Sequence, residues 1–144
     1  MAPGSDSMAY PRSSAVSTRA YPCPCCGFLS FSDPPGSYTS CEICLWTDDP
    51  SQLRFPEARG GANRESLIQA QENFRSFGAS ERRRLPDVRG SGSEDERDQG
   101  WRLWDRTTDD TGRSPTSAGY GMGYPTDTTK LYYWRNTYWG RKAK

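Results

Sequence analysis

The sequence predicts a small α+β fold in which a β-hairpin and one amphipathic helix are held together by something other than an aliphatic core. Leu, Ile, Val and Phe supply only 16 of the 144 residues, and the whole apolar set reaches 33%, against roughly 45–50% in an ordinary globular domain. All five cysteines fall between Cys23 and Cys44. A sustained helical period appears in one stretch, Arg64 to Phe77.

Residues 1–20 are rich in Ser and Pro and lack any period, so a disordered leader is expected there. From Tyr21 the chain alternates turn residues (Pro22, Pro24, Gly27, Pro34-Pro35-Gly36) with the short apolar run Phe28-Leu29-Ser30-Phe31, long enough for one strand. Ile43-Cys44-Leu45-Trp46 offers a second. Between Asp48 and Gly61 the pairs Asp49-Pro50, Phe55-Pro56 and Gly60-Gly61 predict a loop packed on Leu53 and Phe55. Asn63 then reads as a helix N-cap, with Glu65 in the electropositive first turn. Leu67, Ala70, Phe74 and Phe77 fall on one face of the helix over Arg64 to Phe77, and Gly78 stops it. The ordered domain is thus expected over 21–85, ending before Pro86, with a Gly/Ser/acid linker over 86–100. Residues 101–144 are rich in aromatics and poor in aliphatics and read as a low-complexity tail.

Charge and composition exclude several functions. The 19 Lys and Arg nearly balance the 18 Asp and Glu, giving +1, so no general basic field draws the protein to nucleic acid. There is no His, which removes Ser-His-Asp and Cys-His catalytic arrangements, His general bases and His-containing metal sites. No leader of signal-peptide type and no apolar window of membrane length is visible, so a cytoplasmic protein with no membrane partner is expected.

Clustered thiols in a reducing compartment point to metal before disulfide, and the odd count points the same way. Cys23-Pro24-Cys25-Cys26 and Cys41-Glu42-Ile43-Cys44 each contain a C-x-x-C pair. A two-residue spacer lets one tight turn aim both thiolates at a single ion, so Cys23, Cys26, Cys41 and Cys44 are the expected ligands of one tetrahedral Zn²⁺. Gly27 suits the left-handed turn that follows the second ligand. The intervening chain suits a hairpin that returns to the metal in the manner of a zinc ribbon. Four thiolates close the shell and leave no position for water, so the metal is expected to be structural, a staple for a core-poor fold. Cys25 is the extra thiol: a spare redox or regulatory group, an alternate ligand, or simply a small residue beside the turn.

Other candidate features have plainer explanations. Asp48 and Asp49 are adjacent carboxylates whose side chains point apart, which suits turn formation before Pro50 better than acid–base catalysis. Trp46 is expected in the core, and Gly60-Gly61-Ala62-Asn63 as a turn into a cap rather than an anion cradle. The last fifteen residues place Lys130, Arg135, Arg141, Lys142 and Lys144 among Tyr132, Tyr133, Trp134, Tyr138 and Trp139, a local patch that suits contact with single-stranded nucleic acid.

Tyr21-Pro22-Cys23-Pro24-Cys25-Cys26-Gly27, Ser37-Tyr38, Cys41-Glu42-Ile43-Cys44-Leu45-Trp46, Asp48-Asp49-Pro50 and Gln52 form an ordered series. It continues through Gly60-Gly61-Ala62-Asn63, Ser66-Leu67, Ala70, Asn73-Phe74 and Phe77-Gly78, with a weaker extension through Glu96-Arg97-Asp98 to Trp101-Arg102. This series resembles the bacterial cysteine-rich CPCC family. The resemblance implies a small zinc-binding protein and leaves the biochemical role open. The expected role is a binding or adaptor module without catalysis of its own, recruiting a protein partner. A thiol-redox or metal-responsive protein using Cys25 and the zinc thiolates is the rival, and nucleic-acid binding through the tail the third.

Overall fold

The computed structural model describes residues 20–109 and 125–138. The expected leader lies outside them except for Ala20, as do Trp139, Arg141, Lys142 and Lys144.

Strand β1 (Tyr21–Pro22) pairs antiparallel with β2 (Leu29–Phe31), Tyr21 facing Phe31 and Pro22 facing Leu29. The strand expected at 28–31 is therefore present, but its partner is the chain just before Cys23. Residues 43–46, expected as the second strand, belong to a turn closed by a bridge between Ser40 and Thr47. The reason is local. Leu45 takes a left-handed φ of 70°, which an extended strand cannot contain.

That turn repeats the first one bond for bond. Cys23 N–H donates to the Phe28 carbonyl (2.9 Å) and Gly27 N–H to that of Cys23 (2.6 Å); Cys41 N–H donates to Trp46 (2.8 Å) and Leu45 N–H to Cys41 (2.7 Å). Gly27, at φ 83°, and Leu45 hold equivalent positions. The two C-x-x-C segments are thus a pair of matching knuckles. The first uses the residue that adopts this conformation freely, the second a leucine that is held there at a cost of about 1–2 kcal/mol.

The loop expected between Asp48 and Gly61 contains a short helix. In α1 (Pro50–Arg54) Asp49 caps the start by accepting from Ser51 N–H (2.9 Å), and Pro50 occupies the first turn. Leu53 and Phe55 are buried, as expected. The main helix, α2 (Leu67–Phe77), starts later than Arg64 because Ser66, not Asn63, caps it, accepting from Gln69 N–H at 3.1 Å. Gly78 ends it at φ 91°. Asn63 is fully buried and ties loops together instead: its side chain accepts from Thr47 N–H (2.8 Å) and donates to the Thr47 carbonyl (2.9 Å) and to Gln52 Oε1 (3.0 Å).

Beyond α2 the chain makes a 3₁₀ turn over Arg82–Asp87, which accommodates Pro86. The segment expected as a linker over 86–100 then wraps both knuckles. Arg89 and Gly90 N–H donate to the carbonyls of Glu42 (2.8 Å) and Ile43 (3.3 Å), joining Ser80 N–H on Cys44 (2.8 Å). On the first knuckle Leu29 N–H donates to Glu96 (2.8 Å) and Asp98 N–H to Gly27 (2.8 Å). Tight turns leave carbonyls without partners inside their own segment, and this strap supplies them.

The described part of 101–144 is likewise no low-complexity tail. Leu131, Tyr132 and Tyr133 are 0–1% exposed and join Ile43, Trp46, Leu67, Ala70 and the cysteines in one core cluster, with Trp101 and Trp104 packed against it. Trp104 and Trp134 each meet the Tyr133 ring edge to face, at 5.0 and 4.9 Å. Aromatic area replaces the missing aliphatic area.

Candidate metal centre

The two knuckles face each other and bring the sulfurs of Cys23, Cys26, Cys41 and Cys44 within 4.8 Å of one another, all four residues fully buried. Cys23 Sγ lies 3.6 Å from Cys44 Sγ, and Cys26 Sγ 3.8 Å from Cys41 Sγ. A tetrahedron with metal–sulfur bonds of about 2.3 Å has edges of about 3.8 Å, so these distances fit a single ion between the knuckles. Four soft donors and a closed shell define what the site can do: hold a thiophilic divalent cation without leaving it a free coordination position.

Burial pushes the thiols of Cys23 and Cys44 well above their ordinary value. Burial acts on Cys41 too, but hydrogen bonds from the neighbouring cysteines and from Ser30 outweigh it and bring that thiol well below the ordinary value. Ser30 Oγ sits 3.0 Å from Cys41 Sγ. Several buried thiolates without a cation would repel one another, so full deprotonation belongs with metal uptake. Cys25 is not among the four clustered sulfurs. It is 1% exposed, and burial raises its thiol as well, the opposite of a reactive, accessible cysteine.

Around the knuckles lies a shell of donors from the later chain. Gln71 Nε2 and Trp101 Nε1 both donate to the Pro24 carbonyl (3.0 and 3.1 Å), and Arg97 Nε donates to that of Cys26 (2.9 Å). Arg84 donates to the Leu45 carbonyl. Gln71, 3% exposed on α2, also donates to Tyr133 Oη (2.8 Å) and accepts from Trp104 N–H (3.1 Å), so the helix, first knuckle and C-terminal segment meet on one amide. Four thiolates and a divalent ion carry a formal −2, and Arg84 and Arg97 place positive charge beside it. Ser30, Gln71, Arg84, Arg97 and Trp101 escaped the sequence reading as site residues. Only Arg97 and Trp101 had a signal, in the weak extension of the motif series.

The remaining candidates have structural work. Asp48 Oδ2 accepts from Gly36 N–H (3.2 Å), Ser37 N–H (3.0 Å) and Ser37 Oγ (2.7 Å), while Asp49 turns to Ser51 and to Ala62 N–H (2.9 Å), so the carboxylates do diverge. Three amides of the Gly60–Asn63 turn already have acceptors: Gly60 N–H the Arg64 carbonyl (3.2 Å), Ala62 N–H Asp49, and Asn63 N–H Gln52 Oε1 (3.0 Å). Trp46 is fully buried in the core cluster.

The tail residues proposed for nucleic acid divide. Tyr132, Tyr133, Trp134 and Tyr138 are buried and cannot stack on bases, which corrects that expectation for these four. Arg135 is committed to Asp98 through Nη2 at 2.9 Å, and Trp134 Nε1 donates to the same carboxylate at 2.7 Å. Lys130 is exposed. Trp139, Arg141, Lys142 and Lys144 lie outside the described residues.

A small α+β domain built on two facing cysteine knuckles, with a buried four-sulfur cluster able to hold one metal ion, is the class that fold and site define. The profile of the cysteine-rich CPCC family matches residues 21–95, just over half of the chain, and the chain belongs to that family. No curated protein matches it. The matched stretch reaches past the helix into the strap. Among the described residues no helix is long and apolar enough to cross a membrane.

Proposed function

We propose that the protein is a zinc-binding module in which the metal is structural and that it acts as a binding or adaptor protein for a protein partner, with no catalysis of its own. The buried four-sulfur cluster on matching knuckles carries this reading. Zinc is favoured over iron, which also accepts tetrahedral thiolate shells, because a structural staple needs no redox activity. With the shell closed there is no coordination site for substrate or water. The adaptor role follows from a rigid metal-stapled body with exposed charged surface and from the want of a nucleophile–base pair in the sequence. The thiol-redox alternative gains nothing from a Cys25 that is buried with a raised thiol.

Elemental analysis of reduced, purified full-length protein tests the metal: about one zinc per chain is expected. An iron–sulfur absorption spectrum, or natively folded protein that purifies with no bound metal, overturns it. Co-purification of a tagged chain from its native host tests the adaptor role. A stoichiometric protein partner lost on metal removal supports it, and turnover of a small substrate by the zinc-loaded protein alone refutes it.

A further inference from the structure

On the reading that the cluster holds a metal, we infer that it is taken up and released at the Cys41 corner, and that the Ser30 hydroxyl is the positioning residue that holds this corner closed. Two independent observations converge there. Ser30 Oγ lies 3.0 Å from Cys41 Sγ, on the edge of β2. A metal-bound thiolate carries no proton, so in the loaded cluster the hydroxyl donates and the sulfur accepts.

The second observation is a surface groove beside the same corner. It is lined by Ser30, Phe31, Ser32, Asp33, Thr39, Ser40 and Glu42, and so runs along both chain neighbours of Cys41 and the hydroxyl that touches its sulfur. All four ligands are fully buried, but none of the chain neighbours of Cys23, Cys26 or Cys44 lines this groove. Asp33 and Glu42, the latter paired with Arg89 at 3.3 Å, place carboxylates in the groove, which receives a hydrated cation better than an anionic chelator. An ion or competing ligand that reaches the cluster through this groove meets Cys41 first. Ser30 therefore sets how readily that metal–sulfur bond opens, through the hydrogen bond its hydroxyl donates to the Cys41 sulfur.

The experiment uses zinc-loaded full-length protein, with Ser30→Ala, Ser30→Thr and the groove control Ser32→Ala. Transfer of zinc to excess chromophoric chelator gives the release rate, and cobalt-loaded samples give the thiolate-to-metal charge-transfer band. Ser30→Ala is expected to keep one metal per chain yet release it about 10-fold faster or more, with a shifted band. Ser30→Thr should restore both, and Ser32→Ala should leave both unchanged. A purely structural role for Ser30 would not move the band and return it with a hydroxyl. Metal bound at one per chain with Ser30→Ala indistinguishable from wild type in rate and band overturns this inference alone. Absence of metal from the wild type overturns the metal-binding reading with it. A Ser30→Ala protein that fails to fold leaves Ser30→Thr as the decider, a wild-type rate and band supporting the hydroxyl and an altered pair refuting it.

Discussion

Replacing Gly27 with alanine tests how the first knuckle is built. A Cβ on Gly27 would fall 2.4 Å from Trp101 Cδ2 and 2.8 Å from Cγ, well inside contact distance of a rigid ring. The substitution therefore has two separable costs. One is intrinsic: alanine at φ 83° is disfavoured by about 1–2 kcal/mol. The other is displacement of the indole, which loses the bond from Trp101 Nε1 to the Pro24 carbonyl, worth about 0.5–1.5 kcal/mol, and part of its packing, about 1–2 kcal/mol for a half-buried ring. The expected total is about 3–5 kcal/mol. In a Trp101→Ala background only the backbone cost remains, so the coupling between the two sites should be about 2 kcal/mol or more. Urea denaturation of the four proteins of this cycle at one fixed free-zinc concentration measures it. Equal cost of Gly27→Ala in both backgrounds would refute the seating of Trp101 on the knuckle. Leu45 provides the internal contrast, since the equivalent position of the second knuckle already bears a side chain.

Cys41→Ser should lose the metal while Cys25→Ser retains it, as read by elemental analysis, and equal loss in both would put Cys25 in the shell. Truncation before residue 125 removes Leu131, Tyr132 and Tyr133 from the core, each buried side chain being worth about 1.5–3 kcal/mol against a typical total stability of about 5–15 kcal/mol. The zinc-loaded truncate should show collapsed amide-exchange protection over 21–78, and native protection there would mean that the segment is dispensable. Burial raises the thiols of Cys23, Cys25 and Cys44, so the folded apo protein holds those protons more tightly than the unfolded chain. Its stability should fall as pH rises above the ordinary thiol range of about 8.5, the lowered Cys41 opposing this only in part, whereas the zinc-loaded protein should instead lose metal on acidification. Thermal melts of the two forms across pH check both signs.

The four-cysteine cluster was legible because C-x-x-C spacing dictates a turn geometry almost independently of its surroundings. The helix was legible for a similar reason: Leu67, Ala70 and Phe74 are all fully or partly buried against one core. Its start was misplaced because Asn63 is a good cap by type, yet tertiary demand from the Thr47 backbone claimed its side chain and left the cap to Ser66. Leu45 hid the second knuckle. A left-handed leucine has no sequence signal, and the apolar run around it reads as strand. Leu131 to Trp134 was opaque for a different reason, since four consecutive buried residues obey neither a helical nor an alternating period. They thread a space enclosed on all sides, which only the folded chain defines.

That threading also explains how so few aliphatic residues suffice. The strap does not pack on a finished domain; it bonds to the backbone of the knuckles themselves, and the C-terminal segment is tied to Gln71 and to the strap. Pro24, Cys26, Gly27, Glu42, Ile43, Cys44 and Leu45 all offer carbonyls to donors from residues 71–101, and Asp98 within that stretch in turn anchors Trp134 and Arg135. The knuckles can present those carbonyls in fixed directions only while something holds their thiols together. Conversely, the cluster is dry, and its sulfurs converge, only while Tyr132, Tyr133 and the strap enclose it. Metal and C-terminal segment therefore favour the same folded state, and each must raise the apparent stability of the other. Basic residues and aromatics interleaved near a C-terminus look in sequence like a surface made for nucleic acid. Here the described aromatics point inward to complete the core around the four-sulfur cluster, and Arg135, the one described cation besides Lys130 in that patch, is spent on holding them there.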